Sequence, residues 1–250
     1  SNKLFGFPPF FGCHLTRMNL PTHTIALAML LLFTAEACAQ ISQLDVGLTS
    51  QREVIRAFSI TAESETAPSV LVIAGLDGPS PITEQLLSLA EHYSQRDAAG
   101  RGVNLLVIPI ANPDADILVF PPTGEAYQEN SVSHALWRWT GVHAPDIIVI
   151  MGDDSAGFAE AASNLAVAGF GSIPVQTFAE ISALTSQLLE FSELRYSAAH
   201  REVERRLARS PSELAEQLAG IYGREFSTPA YVPGMGMIGR LRLGQTAAIE

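Results

Sequence analysis

Residues 70–79 are VLVIAGLDGP, and two runs of the same kind follow: VNLLVIPIANPD at residues 103–114 and DIIVIMGDDS at residues 146–155. Each run is apolar without alternation and ends in a turn rich in Asp, Asn, Gly or Pro. Continuous β-branched runs are typical of strands buried on both faces, as in a parallel sheet covered by helices. In such sheets the ligand crevice lies outside the carboxyl ends of the strands. The turns after these three strands therefore form the candidate site.

The flanking sequence predicts the rest of an α/β domain. Residues 41–61 alternate and predict an edge strand, and residues 173–178 predict another, since Pro174 cannot donate to a ladder. Helices are predicted over 79–93, 131–140 with Ser131 as N-cap, and 156–167. The predicted fold is a mixed, mostly parallel central sheet with helices on both faces and a C-terminal helical segment. The expected divisions are an upstream segment (1–39), the α/β domain (40–190) and a helical extension (191–250).

The amino-acid composition argues against several classes of function. The chain has 250 residues, of which 47% are hydrophobic, and a formal net charge of −11. This charge argues against a nucleic-acid partner. Lys3 is the only lysine. The remainder of the chain therefore has no lysine for a phosphate-binding loop, a Schiff base or a general base.

Residues 18–40 predict a secretory signal peptide. An apolar run over 25–33 precedes the small-residue site Ala37-Cys38-Ala39, with cleavage before Gln40. The run is too short to span a bilayer, so no membrane span is expected. Lipid attachment at Cys38 is the alternative. Both cysteines fall in the removed segment, and a secreted or periplasmic mature protein without disulfides is expected.

The C-terminal part is predicted to be helical. Ser210-Pro211-Ser212-Glu213 is a capping box that begins a helix. The arginines between Arg195 and Arg209 alternate with glutamates, which predicts a solvated, salt-bridged face. No terminal element is evident after residue 230, and a longer protein with a further domain after Glu250 is expected.

The strand-end turns resemble those of the zinc carboxypeptidases and their aspartoacylase-like relatives. In that family a His-Gly-x-Glu turn supplies two zinc ligands, an Asn-Pro-Asp turn and an Asn-Arg pair bind substrate, and the strand after Pro-Asp ends in the third ligand. The corresponding segments here are Gly75–Ser80, Asn112–Ala115, Asn130-Ser131 and Pro145–Gly152. The resemblance covers residues 54–180 and implies ancestral metal-assisted hydrolysis of a peptide or amide bond.

The same resemblance implies a degenerate metal site. Asp77, Ser80 and Gly152 stand at the ligand positions, and Ser131 stands in place of the arginine. A catalytic zinc needs three protein ligands and an open position. Zinc is therefore implied by the family only, and no cofactor is predicted. The resemblance places Glu180 as general base and assigns substrate binding to Asn112, Asp114 and Asn130; the expected ligand is a small molecule or a peptide.

Two other chemistries stay open. The first is a rebuilt carboxylate site, in which clustered aspartates divide acid and base roles or bind Mg²⁺ or Ca²⁺. Its members would be Asp77, Asp153 and their neighbours Asp114, Asp116 and Asp154. The alternative is that these aspartates only form turns and cap helices. His134 and His143 lack ligand spacing, which favours structural or surface roles.

The run Gly152–Gly157 resembles the nucleophile elbow of hormone-sensitive-lipase-like esterases, with Ser155 as nucleophile and His200 as the available base. Whether the domain is an enzyme is left open by the sequence.

Overall fold

The computed structural model describes residues 41–126, 128–221 and 231–245. The predicted signal peptide, its cleavage site and both cysteines lie outside these residues. Within them, six strands form one sheet in the order β1-β2-β4-β3-β5-β6. The strands are β1 (Ser42–Leu48), β2 (Val54–Ile60), β3 (Ser69–Ala74), β4 (Asn104–Ile108), β5 (Ile147–Met151) and β6 (Val175–Phe178). The helices are α1 (Ile82–Ser94), α2 (Ser131–His143), α3 (Phe158–Asn164), α4 (Ile181–Gln187), α5 (Ala198–Leu207), α6 (Pro211–Ile221) and α7 (Tyr231–Arg242).

The sheet is mixed and mostly parallel, as the sequence predicts. β3 pairs in parallel with both β4 and β5, and β5 pairs in parallel with β6. β2 is antiparallel to β1 and β4. The three continuous apolar runs are therefore the three central parallel strands, and β6 is an edge strand as expected.

Helices cover both faces of the sheet. Because successive residues of a strand point to opposite faces, Leu71 and Ile73 pack with α2 and α3, while Val70 and Val72 pack with α1 and α4. Trp137 and Trp139 of α2 are buried in the first of these cores. Gly47 of β1 allows α2 to approach closely, since a Cβ there would lie 2.5 Å from Ala135 Cβ.

The single edge strand predicted over 41–61 is wrong. The segment is a hairpin, β1 and β2, whose turn forms where polar residues 49–53 interrupt the alternation. Thr49 and Arg52 close the turn through two backbone hydrogen bonds, Thr49 N to Glu53 O at 2.9 Å and Arg52 N to Thr49 O at 3.0 Å. β2 consequently lies inside the sheet, and β1 is the edge.

Three helix predictions also need correction. Asn130, not Ser131, is the N-cap of α2, and its side chain makes no capping bond. α3 is shorter than predicted because residues 152–157 form the turn that precedes it. A helix, α7, occupies residues 231–242, where Pro233 and three glycines gave no helical signal.

The C-terminal helices confirm the predicted local contacts. Ser210 N donates to Glu213 Oε2 at 2.7 Å and Glu213 N donates to Ser210 Oγ at 3.2 Å, which is the capping box. Glu202 forms ion pairs at 2.7 Å with Arg205 and Arg206 on α5. Of the helices in the described ranges, none is long and apolar enough to cross a membrane.

Candidate functional site

The candidate site lies at the carboxyl edge of the central strands. Because β3, β4 and β5 are parallel, the turns carrying Asp77, Asn112 and Asp153 emerge together, which confirms their predicted placement at one edge. Backbone hydrogen bonds join the first two turns, from Ala111 N to Ala74 O at 2.9 Å and from Asn112 N to Gly75 O at 3.0 Å. The turn between β1 and β2 lies at the same edge, since β2 runs antiparallel to β4.

Asp77 and Ser155 are joined directly. Ser155 Oγ donates to Asp77 Oδ1 at 2.5 Å, and both residues are exposed. The turn that presents Asp77 depends on Gly75, which has a φ of +67°, and on the close approach of Gly78 O to the position a Cβ would take. The structure thus brings together two residues from different sequence hypotheses: Asp77 from the metal-site hypothesis and Ser155 from the esterase hypothesis.

Asn112 is buried and holds its turn together. Its Nδ2 donates to Leu76 O and to Asp116 O, both at 2.8 Å, and its Oδ1 accepts from Asp116 N at 3.1 Å. Both amide N–H groups are therefore occupied within the protein. These contacts give Asn112 a structural role; its role in binding substrate stays a prediction.

Asp114 and Asp116 bind the turn between β1 and β2. Ser50 Oγ lies 3.1 Å from Asp114 Oδ2 and 2.8 Å from Asp116 Oδ2, and Gln51 N donates to Asp114 at 3.1 Å. Desolvation raises the pKa of Asp114, but hydrogen bonds from Thr49, the Gln51 N–H and Ser50 outweigh it and hold the pKa below its ordinary value. This carboxylate therefore stays ionised while it anchors the hairpin.

Asp153 and Asp154 have different roles. Asp154 caps α3, because its carboxylate accepts from Phe158 N at 2.9 Å and from Ala159 N at 2.8 Å. Asp153 is exposed, and its Oδ1 accepts from Asp154 N at 3.0 Å. The turn-and-cap interpretation of the aspartates fits Asp114, Asp116 and Asp154, which leaves Asp77 and Asp153 as the exposed pair.

Ser80, Gly152 and Glu180 line one cavity of about 660 Å³ at this edge. Ser80 precedes α1, Gly152 follows β5, and Glu180 is the N-cap of α4. Ser182 Oγ donates to Glu180 Oε2 at 3.3 Å. The residue that the sequence resemblance assigns as general base therefore lies beside two of the three positions that the same resemblance assigns to metal ligands.

The donor set at those positions does not fit zinc. Asp77 already accepts the Ser155 hydroxyl, Ser80 offers a hydroxyl, and Gly152 has no side chain. Zinc binds thiolate, imidazole and carboxylate ligands, with three protein ligands in catalytic sites. Within residues 41–126, 128–221 and 231–245, no group of three His, Cys, Asp or Glu side chains is arranged to hold a metal ion.

A second cavity of about 730 Å³ at the same edge contains Arg52, Asp116, Asn130 and Ser131. Asn130 has a φ of +46° and donates from Nδ2 to Thr123 O at 3.1 Å. Arg52 also has a positive φ, +67°, and its guanidinium makes no ion pair with any described residue. Sequence reasoning missed Arg52, because nothing in its local sequence places the β1–β2 turn beside residues 116–132.

His134 and His143 have the structural roles that the sequence predicts. His134 Nε2 lies 3.2 Å from Thr123 O. His143 Nδ1 lies 2.9 Å from Trp139 O, and its ring stacks on Trp139 with centroids 3.8 Å apart. Burial lowers the pKa of His143, against the opposing hydrogen bond to Trp139 O.

A buried carboxylate with several hydrogen-bond partners lies at the opposite edge of the sheet. Asp146, immediately before β5, accepts from Ser69 N at 2.8 Å and Ser197 N at 2.9 Å, and its Oδ1 lies 2.8 Å from His200 Nδ1. At about 3.3 Å per residue, β5 separates this cluster from the Ser155 edge by roughly 15 Å. His200 is therefore not placed to act as a base for Ser155, and sequence reasoning did not anticipate its partner.

Comparisons with known proteins concern the fold. No protein-family model and no curated protein matches this sequence. Among solved structures, a metallo-carboxypeptidase from Burkholderia cenocepacia has 15% identity and a TM-score of 0.36, covering 51% of this chain and 40% of that protein. A metallo-carboxypeptidase from Pseudomonas aeruginosa has 16% identity and a TM-score of 0.35, covering 52% and 39%. An aspartoacylase family protein from Mesorhizobium loti has 15% identity and a TM-score of 0.31, covering 48% and 36%. The chain spans less than half the length of each of these three proteins.

Proposed function

We propose that this chain is a ligand-binding domain on a carboxypeptidase-like α/β fold whose metal site has degenerated. The observation that carries the proposal is the side-chain set at the strand ends. Gly152 offers no ligand atom, and Asp77 is engaged by the Ser155 hydroxyl. Metal-assisted hydrolysis needs a metal held by three protein ligands with one open position, and these residues do not supply that set.

The carboxyl edge retains the features of a binding site. Two cavities lie there, one beside Ser80 and Glu180 and the other beside Arg52 and Asn130. Ser50 fixes the position of the hairpin turn through Asp114 and Asp116, so Arg52 is held on an anchored turn. An arginine that makes no ion pair within the described residues suits a carboxylate, which it contacts through a planar pair of N–H groups.

We infer that the ligand is a peptide or a small molecule with a free carboxylate. Asn130 and Ser131 add amide and hydroxyl groups to the Arg52 cavity. The predicted signal peptide supports an exported protein, which would meet such ligands in the periplasm or outside the cell.

The test is isothermal titration calorimetry with short peptides that carry either a free or an amidated C-terminus. The free acids are expected to bind without being hydrolysed, and Arg52→Gln is expected to weaken binding by about tenfold. The matched control is Arg56→Gln on the same hairpin, because Arg56 lies near Asp45 at 3.9 Å and outside both cavities. Equal affinity for free and amidated peptides would contradict the carboxylate assignment.

The two hydrolase alternatives have less support. A rebuilt carboxylate site needs its aspartates together, whereas Asp114 and Asp116 bind Ser50 and Asp154 caps α3. A serine esterase needs a histidine beside its nucleophile. The partner of Ser155 is the Asp77 carboxylate, and His200 is held by Asp146 at the other edge.

A further inference from the structure

Arg101 is a buried cation at the amino edge of the sheet. The residue is only 5% exposed. Its guanidinium donates to three backbone carbonyl oxygens: from Nε to Thr61 O at 2.9 Å, and from Nη1 to Ser94 O at 3.1 Å and to Arg96 O at 2.7 Å. Because Ser94 and Arg96 lie at the C-terminal end of α1, their carbonyl oxygens favour a cation there.

The charge of Arg101 has no carboxylate partner. Within residues 41–126, 128–221 and 231–245, no Asp or Glu side chain lies within ion-pair distance of its guanidinium. Charged side chains are almost never buried unless they are paired, since the loss of hydration is costly. Carbonyl oxygens carry only partial charge, so a positive charge remains for an anion to neutralise.

One guanidinium nitrogen, Nη2, is available to a ligand. The N–H groups of Nε and Nη1 are used on the three carbonyl oxygens, whereas the two N–H groups of Nη2 bond to no other described atom. Nη2 is not sealed in the interior, because the buried side-chain atom that lacks a partner in the described chain is Thr140 Oγ1. Arg101 lines a cavity of about 400 Å³, and Nη2 is therefore the nitrogen that opens into it.

Hydroxyl groups add to the donors of this cavity. Ser64 Oγ and Thr66 Oγ1 lie 3.0 Å apart, so one donates to the other and one O–H stays available. Ser192 also lines the cavity, but its Oγ donates to Leu189 O at 2.8 Å. The rest of the wall is largely apolar and consists of Ala67, Pro68, Ala98 and Ala99.

Glu63 is the acidic residue among those that line the cavity. It is exposed and makes no ion pair with any described residue. Its charge opposes the binding of an anion, but solvent and salt screen an exposed carboxylate. Removal of this charge is therefore expected to strengthen anion binding.

We infer that this cavity binds the phosphate group of free phosphate or of a small phosphomonoester. A carboxylate is best matched by parallel N–H groups from two guanidinium nitrogens, and Arg101 presents only one. A phosphate offers several acceptor oxygens in different directions, which suits Nη2 together with the Ser64 or Thr66 hydroxyl. The site is separate from the carboxylate site proposed above, because Pro68 directly precedes β3 and so lies at the amino edge.

The test is isothermal titration calorimetry of the full chain with inorganic phosphate, phenyl phosphate and acetate at constant ionic strength. Both phosphates are expected to bind, and acetate to bind about tenfold more weakly. Glu63→Gln is expected to tighten phosphate binding by about threefold, and Ser64→Ala/Thr66→Ala to weaken it by about fivefold.

A substitution beside Arg101 tests the site without removing the guanidinium, whose loss would also leave three carbonyl oxygens without a donor. Ala99→Glu, at an exposed position of the cavity, is expected to weaken phosphate binding by about tenfold, because its carboxylate competes for Nη2. The matched control is Ala166→Glu, which adds the same charge at an exposed position away from this cavity and should keep the affinity.

Tighter binding of phenyl phosphate than of inorganic phosphate would assign the site to a phosphomonoester, and binding that is no tighter would assign it to free phosphate. Absence of phosphate binding would overturn the inference, as would equal effects of Ala99→Glu and Ala166→Glu or equal binding of acetate. Phosphate binding that survives in Ala99→Glu and disappears in Arg52→Gln would also overturn it, by placing the anion in the cavity at the carboxyl edge.

Discussion

The two aspartates that flank β5 lie in opposite environments. Asp146, before the strand, is 1% exposed and binds two backbone N–H groups and His200. Asp153, after the strand, is exposed, and among the described residues its side chain accepts one hydrogen bond, from Asp154 N. One strand therefore carries a structural carboxylate at its amino end and a solvent-facing one at its carboxyl end. The difference separates a carboxylate that stabilises the fold from one that is exposed at the edge proposed to bind a ligand.

The largest expected effect is the loss of Asp146. Asp146→Ala would leave two backbone N–H groups and the His200 imidazole without their acceptor, and we expect about 3–5 kcal/mol of destabilisation. Asp153→Ala is expected to change the free energy of unfolding by about 0.5 kcal/mol or less. Urea denaturation of both variants measures the contrast. Equal effects at the two positions would remove the distinction between the edges.

The next effect is at Asn112, a buried side chain on the otherwise open edge. Asn112→Ala is expected to destabilise the protein by about 2 kcal/mol, because it leaves Leu76 O, Asp116 O and Asp116 N without this partner. The control is Asn130→Gly, which removes an exposed amide contact while tolerating the φ of +46°. Thermal denaturation should show a clear decrease in Tm for the first variant and little change for the second.

A smaller effect is expected for the pair Asp77 and Ser155. Because both side chains are exposed, Asp77→Ala and Ser155→Ala should each change stability by about 0.5 kcal/mol or less. A double-mutant cycle measures their coupling, which we expect to be of the same small size. A coupling energy of several kcal/mol would show that the Asp77–Ser155 contact stabilises the fold, as Asp146 does. It would then contradict the proposal that these two side chains are free to bind a ligand.

The smallest effect is at Glu202, a partly exposed, ion-paired residue of α5. Hydrogen bonds from Arg205 and then Arg206 lower its pKa from 4.5 to about 2. A carboxylate with a lowered folded pKa stabilises the protein above the unfolded value, and this contribution is lost as pH falls through about 2. Carboxyl-carbon NMR should show titration near pH 2, moving upward in Arg205→Gln. Because the group is partly exposed to solvent, high salt should weaken the shift of its pKa.

Sequence reasoning recovered the parts of the fold that depend on local pattern. The three apolar runs became β3, β4 and β5 because buried parallel strands need continuous apolar side chains on both faces. Their polar turns were placed at one edge by the same parallel order. The capping box at Ser210 was recovered because both of its contacts lie within four residues.

The features that the sequence did not predict depend on contacts between residues far apart in the chain, or on a helix formed by residues with weak helix propensity. Asp146 and His200 are 54 positions apart, and no local pattern pairs them. Arg52 lines a cavity because the hairpin turn folds back on residues 116–132. Helix α7 forms despite Pro233 and three glycines, since its packing against α6 offsets the weak helix propensity of those residues.

The central claim is that the carboxyl edge binds ligand without holding a catalytic metal. The most direct measurement is elemental analysis of metal-free protein after dialysis against zinc, with a parallel assay for hydrolysis of a blocked dipeptide. We expect substoichiometric zinc and no hydrolysis, and the parent chain and Asp77→Ala should give the same result. The reason is that Ser80 and Gly152 do not supply the second and third protein ligands that a catalytic zinc needs beside Asp77. One tightly bound zinc per chain, lost together with hydrolysis in Asp77→Ala, would contradict the account.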